Sequence, residues 1–162
     1  MIVQTRVAST KSGRVGVISD THGLLRPEAL NALQGSELII HAGDIGSQEV
    51  LTQLRKLARV IAIKGNNDVG KWARRLPDFV NIRVNGIKAQ LIHNLHDWEK
   101  NIGAALRIVI SGHSHKPAIV TRDNVLFVNP GSAGPRRFKL PVTLAMLDLR
   151  DGDVNAAIVQ LL

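Results

Sequence analysis

Five short stretches carry the residues whose types can do chemistry: Ser19-Asp20-Thr21-His22-Gly23, Gly43-Asp44, Gly65-Asn66-Asn67-Asp68, His93, and Gly112-His113-Ser114-His115. Each follows an apolar run that reads as a strand. Ligand sites in α/β sheets form beyond the carboxyl ends of strands, so all five can converge on one rim. The spacing in Asp20-x-His22 and His113-x-His115 predicts that each pair lies on one side of an extended backbone, able to grip the same or adjacent ions. Carboxylate oxygen, amide oxygen and imidazole nitrogen together suit Mn²⁺, Fe²⁺, Zn²⁺ or Ni²⁺ and do not choose among them. The chain contains no cysteine, which excludes disulfides, thiolate zinc sites and thiol nucleophiles.

Taken singly, most of these residues have a plainer reading. Gly43-Asp44 is ordinary turn chemistry, Asp20 can cap a helix, Asn66 can sit in a left-handed turn, and His93 can be a structural histidine. His113 and His115, two residues apart after a buried strand, have little packing rationale and read as metal ligands. The ordered combination points further than any member.

The elements that must position these residues fall into two styles. Val15 to Ser19, Leu38 to His41 and Val60 to Lys64 read as strands, separated by helical stretches at Pro27 to Leu33 and Gln48 to Leu57, a βαβαβ rhythm. Pro27 suits an early helical position and Gly35 a position just past the helix end. The later chain reads as strands and hairpins. Phe79 to Val84 and Ile87 to His93 turn at Asn85-Gly86, Ala118 to Thr121 and Val125 to Val128 turn near Asp123-Asn124, and Val142 to Leu149 and Val154 to Leu161 turn at Arg150 to Asp153. Arg107 to Ser111 is a further buried strand. These elements predict two sheets packed face to face with helices outside.

At 162 residues and 44% hydrophobic, the chain suits one domain with a real core. We expect no membrane span and no signal peptide, and hence a soluble, cytoplasmic protein. The net charge of +8 admits a nucleic-acid partner, but 3% aromatic residues and no tyrosine leave few stacking platforms for single strands, so nucleic acid is not favoured. Arg136, Arg137 and Lys139, and likewise Lys71, Arg74 and Arg75, read as solvated basic surface rather than phosphate ligands. Trp72 and Trp98 read as partly buried packing.

The motifs Asp20-Thr21-His22-Gly23, Gly43-Asp44, Gly65-Asn66-Asn67-Asp68, Gly112-His113-Ser114-His115 and Asn129-Pro130-Gly131-Ser132, in this order from Gly16 to about Leu149, resemble the calcineurin-like metallophosphoesterases, and within them the small YfcE-like phosphodiesterases. The resemblance implies a four-layer αββα sandwich of two mixed β-sheets flanked by helices, formed by a single domain over residues 1–162. Residues 1–13 would be an extension atypical of that family. It also implies two divalent metal ions, manganese first and nickel, zinc, iron or magnesium as alternatives. By the family pattern Asp20, His22 and His115 hold one ion, Asn66, His93 and His113 the other, and Asp44 bridges them.

The implied activity is hydrolysis of a small phosphate ester, most simply a phosphodiester, by a hydroxide shared between the two metals, with no protein nucleophile. Three positions depart from larger relatives. Asn67 stands where many have a histidine that protonates the leaving group, Ser47 stands where they have its acidic partner, and their His-Gly-His reads His93-Asn94-Leu95-His96, which leaves the role of His96 open. Missing that acid, the enzyme should favour leaving groups that depart without proton help. Rival readings are a non-catalytic metal-binding scaffold on the same fold, like the retromer subunit that resembles these enzymes, and a nuclease. All seven ligand positions carry plausible donors, which weighs against the scaffold.

Overall fold

The computed structural model describes residues 5–99 and 105–162. Residues 1–4 of the expected extension therefore lie outside it. Five parallel or antiparallel neighbours form one sheet from β2 (Arg14–Ile18), β3 (Leu38–His41), β4 (Arg59–Ala62), β10 (Thr143–Arg150) and β11 (Asp153–Gln160), in the order β11-β10-β2-β3-β4. The other sheet has six strands: β1 (Thr5–Ala8), β5 (Phe79–Val84), β6 (Ile87–Ile92), β7 (Leu106–Ile110), β8 (Ala118–Arg122) and β9 (Val125–Asn129), in the order β1-β5-β6-β7-β9-β8. Both sheets are mixed, as expected: β2, β3 and β4 run parallel, as do β6, β7 and β9, while β10, β11, β5 and β8 pair antiparallel to their hairpin partners.

Side-chain alternation builds the core. Val15, Val17, Leu38, Ile40, Ile61, Ala145 and Leu147 of the five-stranded sheet face Val80, Ile82, Ala89, Leu91, Ile108, Ile110 and Val128 of the other. The intervening residues Ile18, Ile39, Ala62 and Leu144 point the opposite way. There they meet α1 (Pro27–Ala32) and α2 (Gln48–Arg55), which supply Ala29, Val50, Leu51 and Leu54, with Leu33 just beyond α1. Each such fully buried aliphatic side chain contributes about 1.5–3 kcal/mol. Among the described residues both α-helices pack on this one sheet; the six-stranded sheet carries a single 3-10 turn, Leu95–Asp97.

The hairpin turns follow their sequences. Asn85-Gly86, Asp123-Asn124 and Asp151-Gly152 all take positive φ, the backbone that a two-residue turn between right-twisted strands requires. One strand escaped the sequence reading. Residues Thr5–Ala8, inside the stretch taken as an extension, pair in parallel with Asn81 to Val84 as the sheet's edge. Four residues without apolar alternation give no strand signal, and the pairing comes from a partner more than seventy residues away. No helix among the described residues is long and apolar enough to cross a membrane.

Candidate metal centre

Because β2, β3 and β4 are parallel, as are β6 and β7, the residues that follow them emerge at matching ends. Asp20 and His22 follow β2, Asp44 follows β3, Asn66 follows β4, His93 follows β6, and His113 and His115 follow β7. The backbone there is not extended as the spacing suggested. Asp20, His22, Asp44, His113 and His115 all have φ between 46 and 70°, a left-handed conformation costing a non-glycine residue on the order of 1–3 kcal/mol. Such strain at five expected ligands marks a site whose geometry is held by its surroundings. Space is held as tightly: a Cβ on Gly65 would overlap the Asp44 carboxylate and amide, and one on Gly112 would overlap the Ser19 hydroxyl.

The side chains form two adjoining groups. In the first, Oδ1 of the fully buried Asp20 lies 3.3 Å from Nε2 of His115 and 3.9 Å from Nε2 of His22. Those two ring nitrogens are themselves 3.4 Å apart. In the second, Asn66 Oδ1 lies 3.1 Å from His93 Nε2 and 3.2 Å from His113 Nδ1. Asp44 stands between, its Oδ2 3.8 Å from His22 Nε2 and 3.5 Å from His93 Nε2. His113 and His115, adjacent but for one residue, thus serve different groups, because the left-handed turn splays them.

Several observations fit these residues to cations. Asp20 Oδ1 is buried and makes no hydrogen bond, although its Oδ2 accepts from Ser19 Oγ at 2.7 Å and from the His113 amide at 3.1 Å. An unpaired buried carboxylate oxygen is costly unless a positive charge meets it. His93 Nδ1 lies 2.7 Å from the Ala42 carbonyl and must donate to it, so in the neutral ring Nε2 turns a lone pair toward the oxygens of Asn66 and Asp44. Oxygens and lone pairs converging in this way repel unless a cation sits among them, and a backbone carbonyl fixing the far nitrogen is the usual support of a metal-binding histidine. Asp20, His22 and His115, and likewise Asp20, Asp44 and His93, offer ligand atoms that all lie within 4.8 Å of one another.

The electrostatics agree. With no cation between Asp44 and His93, burial would raise the Asp44 carboxyl, but a protonated His93 ring and the hydrogen bonds from the Asn67 backbone and side chain outweigh it and hold Asp44 well below the usual carboxylate range. Burial would lower His93, yet Asp44, the Ala42 carbonyl and Asp20 raise it. His115 is lowered, chiefly by burial, with Arg137 and His22 pushing the same way against the pull of Asp20.

Other residues build the support, and sequence alone did not assign them. Asn67 donates its amide N–H to Asp44 Oδ1 at 2.9 Å and its side-chain nitrogen to Oδ2 at 2.8 Å. Asp68, nearly buried, accepts from the amides of Ile45, Gly46 and Gly65, tying the loop after β3 to the loop after β4. His41 is buried with Nδ1 accepting from the Gly43 amide, so Nε2 donates to Thr21 Oγ1 at 3.0 Å, which donates to the Ile45 carbonyl. The run Asn129-Pro130-Gly131-Ser132 braces the floor: Asn129 donates to the Gly112 carbonyl, and Ser132 Oγ to that of Asp20.

His96 stays out of both groups; its amide donates to Asn94 Oδ1 and its side chain is exposed. Trp98 packs edge-on against Phe127 and donates to Gln90, and Trp72 lies against the helical core. Arg136, Arg137 and Lys139 are exposed, as are Lys71, Arg74 and Arg75. Two clefts open beside the groups. One, of about 410 Å³, runs from His113 along β8 and β9; the other, of about 300 Å³, runs from His93 and His113 toward Lys64 and Asp78.

Comparison with known proteins gives a consistent picture. A family described as the calcineurin-like phosphoesterase superfamily domain matches residues 14–152. A probable metallophosphoesterase of Methanocaldococcus jannaschii is 36% identical over 132 residues, 73% of this chain and 67% of that protein. Among solved structures, an archaeal phosphodiesterase superposes with a TM-score of 0.72 at 25% identity, covering 90% of this chain and 99% of its own. The zinc complex of wild-type Vps29 from Entamoeba histolytica superposes at 0.67, again with 25% identity, covering 92% and 99%.

Proposed function

The chain belongs to the calcineurin-like phosphoesterase superfamily, and from that premise we propose that residues 1–162 act as one domain hydrolysing small phosphodiesters with two divalent metal ions. Asp20, His22 and His115 would hold one ion, Asn66, His93 and His113 the other, and Asp44 both. The reading is carried by the buried, unbonded Oδ1 of Asp20 facing two imidazole nitrogens, with Asp44 within 4 Å of a histidine from each group. Manganese is our first choice of metal on the family resemblance alone, since the mixed oxygen and imidazole donors admit nickel, zinc or iron equally.

Bound there, divalent ions supply Lewis acidity, neutralising charge that grows on the phosphoryl oxygens and acidifying coordinated water. The chain's own part is positioning. Asn67 grips both Asp44 oxygens, which keeps that carboxylate anionic and fixed in the plane between the two groups. This answers the departure seen in the sequence: the side chain standing at the proton donor's usual place is an amide committed to Asp44. With no acid there, aryl phosphodiesters should outpace alkyl ones, as general acid catalysis is worth about 10²–10⁴-fold. Two clefts meeting at His113 and Asn94 favour a diester, which has an arm for each.

The test is hydrolysis of an aryl phosphodiester by metal-stripped protein, with Mn²⁺, Ni²⁺, Zn²⁺ and Mg²⁺ returned separately. Turnover should return with metal, and Asp44→Asn and His113→Ala should each cost at least about 100-fold, more than loss of an outer partner costs. Tight metal binding without turnover on any ester would favour a scaffold, the reading kept open by the likeness to Vps29. Hydrolysis of long DNA that is lost with added salt, beside weak action on small diesters, would favour a nuclease.

A further inference from the structure

The larger of the two clefts is built for one kind of group. Its floor is the outer face of the β8–β9 hairpin, where register sets Ala118 beside Asn129, Val120 beside Phe127 and Arg122 beside Val125. Leu95 and His96 of the 3-10 turn form one wall, and His113 closes the end that meets the metal centre. Leu95 and Val120 are 38% and 41% exposed, uncommon for large apolar side chains that share one concavity. The guanidinium of Arg122 lies over the Phe127 ring, 5.9 Å from its centre, and Trp98 packs against the same ring at a near-perpendicular angle. The charged residues lining the cleft are Lys116 and Arg122, with no carboxylate among the described lining residues, whereas the smaller cleft carries Asp97 and an ion pair between Lys64 and Asp78.

We propose that this cleft seats an aromatic arm of the ester, an aryl group or nucleobase lying along Val120, Phe127 and Arg122 while its phosphoryl group meets His113. The inference rests on the phosphodiesterase reading for the phosphoryl position and adds the class of arm. Size, shape and charge all point this way. About 410 Å³ is ample for a flat ring system and falls in the usual range of small-molecule sites. Apolar walls reward burial of a ring, a guanidinium plane stacks on it, and Lys116 and Arg122 attract the anionic phosphoryl or a second anionic group on the same arm. The smaller cleft, with its two carboxylates, suits the other arm.

Direct binding to the manganese-loaded protein tests this without depending on turnover. Phenylphosphonate and methylphosphonate share the headgroup and differ in the arm, and calorimetry gives each affinity while amide chemical shifts show where each lies. Phenylphosphonate should bind roughly tenfold tighter, given the area a ring buries, and should move the amides of Val120, Arg122 and Phe127. Val120→Asp and, separately, Leu95→Asp should bring the ratio within about twofold of one; both sites are exposed enough for the fold to stand, which thermal unfolding checks. Adenosine 5′-monophosphate in the same titration tells a nucleobase from a simple aryl group, and tighter binding of either than of methylphosphonate supports the seat. Affinities equal for all three ligands, no binding of any of them, or a preference that survives both substitutions would overturn it. An aromatic preference in a protein that hydrolyses no ester would instead sink the enzyme reading and leave the seat in place.

Discussion

Histidine is the residue on which the site turns, and six occur in the chain. His22, His93, His113 and His115 gather at the centre, and the sequence exposed them because each follows an apolar strand with glycine or a carboxylate nearby. His41 has the same setting, at the end of β3 two residues before Gly43, and yet points into the protein. Nothing in its neighbours' identities tells the direction of a ring, so the distinction was not legible. Its burial has a measurable consequence. Burial, with His93 pushing the same way, lowers His41 from 6.5 to about 3, so as pH falls through that window the unfolded chain takes up a proton that the folded chain refuses. Stability must therefore drop with acidity between about pH 6.5 and 3, at up to about 1.4 kcal/mol per pH unit from this group. Asp44, held low when folded, adds a loss of the same sign in stronger acid, and His93, raised when folded, works in the opposite sense near neutrality. A difference measurement isolates His41: in urea unfolding of metal-free protein, His41→Asn should be less stable at pH 7.5 and lose less on going to pH 5 than the parent. Parallel lines for the two proteins would mean that His41 takes up its proton as readily in the fold as in the unfolded chain.

At the scale of elements, strands and helices were readable to within a residue or two because apolar alternation and turn pairs such as Asn85-Gly86 are local signals. What was not readable is β1, which has no pattern of its own, and the left-handed backbone at Asp20, His22, Asp44, His113 and His115. Aspartate and histidine adopt that conformation more readily than most residues, but five together are held by loops clamped through Asp68, Asn129 and Ser132. The clamp leaves little room, and Gly112 is one of its tight points. Its φ is ordinary, so space alone forbids a side chain: a Cβ would displace the Ser19 hydroxyl and come within 2.8 Å of Asp20 Oδ2. Ser19 donates to that same oxygen. Gly112→Ala should thus turn the Asp20 carboxylate and weaken metal binding by about 10–100-fold, the usual cost of losing an outer partner, while secondary structure by circular dichroism stays unchanged. Metal affinity equal to the parent would show that the Asp20 orientation does not depend on Ser19.

For the molecule as a whole, the two-sheet sandwich followed from composition and pattern, but the strand order did not, since pairings such as β1 with β5 and β7 with β9 join segments distant in sequence. That order brings the ligand-bearing ends together and sets up a conflict between stability and site. Five left-handed residues and a buried carboxylate oxygen without a partner oppose folding when no cation is present. Metal ions held as proposed would bind the assembled site and not the scattered ligands of the unfolded chain, so their binding energy would return to the fold. At a free concentration one hundred times Kd, each site adds about 2.7 kcal/mol, and in a domain of this size each kcal/mol raises Tm by about 2–4 °C. Two filled sites should lift Tm by roughly 10–20 °C over chelator-treated protein. Asp44→Asn, which weakens the residue between both groups, should erase most of that increment and, because Asn67 donates to both Asp44 oxygens, should also leave the metal-free protein less stable than the metal-free parent. Differential scanning calorimetry in chelator and in excess Mn²⁺ decides the matter. An increment near one site's worth that survives Asp44→Asn would argue for a single ion held by Asp20, His22 and His115.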